Sequence, residues 1–136
     1  MGATSGQSGP SRRILVVEDS QLMNAYYRKL LCNLPGHEVR FALDGREALG
    51  RIAAEGEPDI LILDINMPVM NGFDFLEEYR KTASDSRARI VIVSTEGSAD
   101  DRIRGLRAGA DAYLSKPFEP EALLALLASA PSGAPG

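Results

Sequence analysis

The chain has 136 residues, enough for one domain of ordinary size and too few for two. It carries 15 Lys and Arg against 19 Asp and Glu, a net charge of −4, which argues against nucleic acid as a direct partner because such domains present a basic face. A single cysteine rules out an intrachain disulfide and points to a reducing, cytoplasmic setting, and no apolar run approaches the roughly 20 residues of a membrane span.

Residues 1–11 (MGATSGQSGPS) are Gly/Ser-rich with almost no large apolar side chain, so a disordered N-terminal tail is expected. Residues 130–136 (APSGAPG) read as a flexible tail or linker, leaving one folded domain over 12–129. A wholly apolar first strand, Ile14 to Val17, runs into Glu18-Asp19. A first helix follows over about 20–34, with Leu22, Tyr26 and Leu30 repeating on one face and Pro35-Gly36 ending it. A second strand over about 38–43 alternates Val39, Phe41 and Leu43 with polar or small residues, the pattern of an edge strand. Asp44 with Glu47 makes a capping box for a second helix carrying Ala48, Leu49 and Ile52 and closed by Gly56.

The third strand is Ile60 to Leu63, ending in Asp64 and followed by breaks at Met67-Pro68 and Asn71-Gly72. The third helix, about 73–82, is expected to bury Phe73, Leu76 and Tyr79. A fourth strand, Ile90 to Val93, ends at Ser94-Thr95. Ser98, with Asp101, caps a fourth helix that turns Ile103 and Leu106 inward. Ala108-Gly109-Ala110 breaks the chain, with Gly109 free to take positive φ. The fifth strand, about 112–115, ends at Lys116-Pro117, and the fifth helix starts near Pro120 with Leu123, Leu124 and Leu127. Five βα repeats imply an α/β, doubly wound, five-stranded parallel sheet of the flavodoxin-like (βα)5 type, strand order 2-1-3-4-5.

In such a sheet Glu18, Asp19, Asp64, Ser94 and Lys116 all fall on the edge formed by the carboxyl ends of the strands, where ligands bind. Three carboxylates converging there repel one another, and the usual remedy is a hard divalent cation such as Mg²⁺. Lys116 adds a positive charge and Ser94 a hydroxyl. The natural electrophile is a phosphoryl group, with Asp64 as the in-line nucleophile. Taken alone, a strand-end Asp is a turn or cap residue and Glu18-Asp19 merely cap a helix; the joint pattern makes them functional.

The segments VVED (16–19), LILDINMPVMNG (61–72), VSTE (93–96), AGADAY (108–113) and LSKPF (114–118) resemble those of a response regulator receiver domain in two-component signalling. The resemblance covers residue 13 to about residue 128. It implies that Asp64 is the phosphoacceptor, that Glu18 and Asp19 hold Mg²⁺ together with the Asn66 backbone carbonyl, that Ser94 is the switch hydroxyl, and that Lys116, before a cis Lys-Pro bond, bridges the phosphoryl group. Tyr113 matches an aromatic switch that packs inward when the hydroxyl moves. The fourth helix, fifth strand and fifth helix then form the output face. The acidic pair is Glu-Asp where Asp-Asp is commoner. Asn66 and Glu96, two residues past Asp64 and Ser94, are similar to those of single-domain chemotaxis receivers and imply a short-lived phosphoryl group.

The resemblance further implies a phosphoryl donor, either a histidine kinase or a histidine phosphotransfer protein, a downstream effector protein, and a monomer or weak phosphorylation-dependent dimer; charge and hydropathy add the expectation of no direct nucleic acid or membrane contact. It implies no enzyme in the ordinary sense, but a phosphoacceptor that assists its own phosphorylation and dephosphorylation. With no room for an output domain, the chain works by binding a partner or is part of a longer protein. One alternative is an unphosphorylated pseudo-receiver acting as an interaction module. Another, a Mg²⁺-dependent phosphohydrolase, is disfavoured because Asn66 stands where such enzymes put a second Asp. His37 reads as a surface residue and Cys32 as a packed thiol. Arg102, Arg104 and Arg107 read as a solvated face or an output surface for an acidic partner.

Overall fold

The computed structural model describes residues 12–67, 69–82, 88–95 and 99–129. Both tails, Ser98 and Glu96 lie outside the described residues. Strands and helices alternate strictly: β1 (Arg12–Val17), α1 (Gln21–Leu31), β2 (His37–Ala42), α2 (Gly45–Glu55), β3 (Ile60–Asp64), α3 (Gly72–Thr82), β4 (Arg89–Ser94), α4 (Ala99–Arg107), β5 (Ala112–Ser115) and α5 (Pro120–Ser129). All neighbouring strands pair in parallel, in the order β2-β1-β3-β4-β5.

Successive strand residues point to opposite faces, so each apolar run divides itself between two cores. Leu15, Val17, Leu61, Leu63, Ile90 and Ile92 pack with α2 and α3 through Ala48, Phe75, Leu76 and Tyr79. Ile14, Val16, Ile60, Ile62, Val91 and Val93 pack with α1 and α5 through Tyr27, Leu31, Leu123 and Leu127. The middle strand β3 is buried at all five positions, which is why its sequence shows no alternation. Among the described residues no helix is long and apolar enough to cross a membrane.

Local signals explain most element boundaries. The Asp44 carboxylate accepts the Glu47 N–H at 2.8 Å, and Glu47 reaches back to the Leu43 N–H, so the expected capping box forms with its return bond shifted to the residue before the cap. Gly109 adopts φ of 106°, and its carbonyl accepts from Arg80 Nη2 at 2.8 Å.

Several faces differ from expectation. On α1 the buried stripe is Asn24, Tyr27 and Leu31, while Leu22 is 83% exposed and Tyr26 lies at the surface. A helix turns about 100° per residue, so Met23 and Leu30 join the Tyr27 stripe and Leu22 points away from it, while Leu34, past the helix end, packs against the same cluster. On α4, Ile103 and Leu106 are about half exposed and only Gly105 is buried. The helix rides close to the sheet on that glycine: a Cβ there would meet Ile92 Cδ1 at 2.9 Å and the Tyr113 ring at 3.2 Å. On α3 it is Phe75, stacked on Tyr79, that is buried with Leu76, and Phe73 is half-buried. Leu43 follows β2 and is exposed. Cys32 is exposed at the C-cap of α1, not packed. His37 opens β2, half-buried, with Nδ1 2.9 Å from the Pro35 carbonyl oxygen.

One close approach sets the loop after β3. The Gly72 N–H donates to the Ile65 carbonyl at 2.9 Å, and a Cβ on Gly72 would lie 2.7 Å from the Asp64 carbonyl oxygen. Backbone cannot yield there as a flexible side chain would. Gly72→Ala is therefore expected to lower unfolding free energy by about 1–3 kcal/mol in a urea titration. Gly50→Ala, in the exposed middle of α2 with open space around it, is expected to raise it by about 0.5–1 kcal/mol. Equal effects of the two would contradict this packing.

Candidate functional site

The carboxyl ends of β1, β3, β4 and β5 bring the site together. Glu18 leaves β1 with its N–H bonded to the Ala42 carbonyl at 2.9 Å. It is only 2% exposed. Its Oε2 accepts the Ser20 N–H at 3.1 Å and its Oε1 accepts from Lys116 Nζ at 2.9 Å. Ser20 N-caps α1, its Oγ accepting the Met23 N–H. Asp19, the next residue, is exposed. Asp64 ends β3 and is 5% exposed. One carboxylate oxygen from each of Glu18, Asp19 and Asp64 lies within 4.8 Å of the others.

Lys116 Nζ stands 3.7 Å from Asp64 Oδ1, farther than from Glu18. The Lys116-Pro117 bond is cis, as expected. The Lys116 N–H donates to the Ser94 carbonyl at 2.8 Å, and Ser94, the last residue of β4, is fully buried. Asn66 lies just past β3, its side chain exposed and its backbone N–H bonded to the Asp64 carboxylate. Tyr113, in the middle of β5, is buried against Gly105 with the Arg102 guanidinium over its ring at 5.2 Å.

The electrostatics are unbalanced. Burial pushes Asp64 up from its ordinary 3.8 to about 6, the Glu18 carboxylate adds to the rise, and the smaller pull of Lys116 and the Asn66 N–H does not offset it. Tyr27, buried beneath, is also pushed up, first by burial and then by Glu18 and Asp64. Among the described residues three carboxylates face one ammonium. A set of hard oxygen donors with one member open to solvent suits a hydrated Mg²⁺, which Glu18, Asp19 and Asp64 could hold.

The residue that sequence reasoning missed is Asn24. Its Nδ2 donates to the Glu18 carbonyl at 2.8 Å, and it is 5% exposed. The available signal was its place as the one polar side chain on the stripe of α1 that faces the sheet.

The family described as "Response regulator receiver domain" matches residues 14–128. The transcriptional regulatory protein PrrA of Mycobacterium tuberculosis is 46% identical over 108 residues, covering 79% of this chain and 45% of that protein. The response regulator MprA of Mycolicibacterium vanbaalenii is 42% identical over 113 residues, covering 83% of this chain and 47% of that protein. Chemotaxis protein CheY4 of Vibrio cholerae superposes with a TM-score of 0.80 at 36% identity, covering 89% of this chain and 99% of that one. A CheY-like receiver domain protein of Methanospirillum hungatei superposes at 0.76 with 30% identity, covering 87% and 91%.

The chain spans about half the length of the curated relatives it matches. One expectation is corrected by them. The acidic balance does not exclude a nucleic-acid partner, because a relative of this stretch is a transcriptional regulatory protein whose greater part lies outside the matched region. The charge of one stretch bears only on that stretch. A flavodoxin-like sheet in the order 2-1-3-4-5, an acidic cluster at its carboxyl edge and matched relatives over most of its length establish that the chain belongs to the receiver domains of two-component response regulators.

Proposed function

We propose that Asp64 accepts a phosphoryl group from a histidine kinase or a histidine phosphotransfer protein, in the cytoplasm, and that the acyl phosphate resets the face formed by α4, β5 and α5 for a partner. The observation that carries this reading is the meeting of Asp64 with Glu18, Asp19 and Lys116 at the carboxyl edge of the sheet. Bound by Glu18, Asp19, Asp64 and the Asn66 carbonyl, Mg²⁺ would supply charge neutralisation for the phosphoryl oxygens. Asp64 Oδ attacks phosphorus in line, the new O–P bond forms as the P–N bond of phosphohistidine breaks, and the leaving imidazole nitrogen takes a proton from solvent. Lys116 offsets charge on the transferred group, and the Ser94 hydroxyl turns to donate to it. Tyr113 follows Ser94 and carries the change to the α4–β5–α5 face. Hydrolysis of the acyl phosphate is assisted at the same site, with Asn66 and Glu96 tuning its rate.

Acetyl phosphate with Mg²⁺ is expected to add one phosphoryl group to the intact mass, with none added to Asp64→Asn and none when Mg²⁺ is chelated. Lys116→Ala is expected to slow the addition by at least about tenfold. The adduct is expected to decay faster in the native protein than after unfolding in urea. Absence of an adduct at Asp64 would favour the pseudo-receiver.

The raised pKa of Asp64 gives a second test. The folded state holds this proton more tightly than the unfolded chain, so ionising Asp64 costs stability. The cost is absent below the ordinary 3.8 and fully present above about 6. In metal-free buffer Asp64→Asn is therefore expected to raise unfolding free energy at neutral pH, on the order of 1–3 kcal/mol, and to lose that advantage as pH falls toward 4. A pH-independent difference in thermal melting would contradict it.

A further inference from the structure

The peptide that joins Glu18 to Asp19 is held by a side chain outside the acidic cluster. Asn24 sits in the first turn of α1, anchored by its own N–H to the Ser20 carbonyl at 2.9 Å. Its Nδ2 reaches back to the Glu18 carbonyl at 2.8 Å in a buried hydrogen bond. Only the NH₂ end can donate to a carbonyl, which fixes the amide orientation; Oδ1 is buried with no hydrogen-bond partner among the described residues. A polar group kept at that cost on a stripe otherwise made of Met23, Tyr27, Leu30 and Leu31 needs a reason beyond packing.

The geometry supplies one. The Glu18 N–H is tied to Ala42 on one side, and its carbonyl is tied to Asn24 on the other. The same carbonyl belongs to the peptide plane from which Asp19 departs. Ser20 and Lys116 hold the Glu18 carboxylate, whereas Asp19 is exposed and takes its direction from that peptide.

We infer that Asn24 is a positioning residue for the acidic pair: its amide fixes the Glu18-Asp19 peptide and so the angle at which the two carboxylates meet a divalent cation. The inference rests on the cation reading given under the proposed function. Hydrogen bonds behind metal ligands commonly carry one to two orders of magnitude in affinity.

The test is calorimetric titration of the full chain with MgCl₂ at neutral pH. Asn24→Leu and Asn24→Ala are compared with Leu31→Val, a packing change at the far end of α1. Wild type is expected to bind Mg²⁺, the Asn24 variants to bind about tenfold or more weakly, and Leu31→Val to melt lower yet keep its affinity within about twofold. Asn24 variants that keep wild-type affinity would overturn the inference. Wild type that binds no Mg²⁺ would overturn the cation reading itself. Where the Asn24 variants fail to fold, the ¹⁵N spectrum of wild type decides. Mg²⁺ is expected to shift the Asn24 side-chain amide together with the Glu18 and Asp19 backbone amides, and an unmoved Asn24 amide beside moving neighbours would overturn the inference.

Discussion

The constraint on which the molecule turns is a charge conflict at the carboxyl edge of the sheet. Glu18 and Asp64 are almost wholly buried, Asp19 lies beside them, and Lys116 is the one ammonium ion-paired to Glu18 and Asp64 among the described residues. An apolar sheet interior would never assemble such a group for stability, since ionised carboxylates taken from water lose solvation that a single ion pair does not restore. The fold tolerates it because everything below is ordered: β3 is buried at every position and both faces of the sheet are covered. Stability elsewhere holds a site that is electrostatically incomplete by itself, which is the condition for a cation or a phosphoryl group to change the equilibrium of the whole domain.

The route from that site to the surface is short. Ser94 pairs with Ser115 in register, and two residues earlier Ile92 pairs with Tyr113. The Tyr113 ring lies on the bare backbone of Gly105, and Arg102 covers it and points a guanidinium nitrogen to its carbonyl at 3.4 Å. Under the proposed function, a change at Ser94 meets α4 through one aromatic ring and one glycine. The half-exposed Ile103 and Leu106 then have a use on the surface that they lack in the core.

What the sequence made legible follows from physics that is local. The three inner strands were readable because a strand buried on both faces is a short unbroken apolar run, and Glu18-Asp19, Asp64 and Ser94 directly follow such runs; Lys116 instead ends the short edge strand β5 and was readable from the Lys-Pro-Phe segment there. The helix faces were less so. On α1 two stripes compete, and only packing selects Tyr27 and Leu31 over Leu22 and Tyr26. On α4 the contact is a glycine, which no hydrophobic pattern announces. Asn24 was hidden for a related reason: its partner is a backbone carbonyl six residues earlier, and main-chain partners leave no mark in composition. The exclusion of nucleic acid failed because the charge of one stretch says nothing of what lies beyond it, and the greater part of the transcriptional regulatory relative lies outside the matched region.

The most direct measurement is a calorimetric melt of the full chain at neutral pH, with MgCl₂ against NaCl at matched ionic strength. If the acidic trio is the unfinished half of a cation site, the melting temperature rises progressively with Mg²⁺ and not with Na⁺, because the cation binds the folded edge and not the unfolded chain. Identical melts in the two salts would contradict the account.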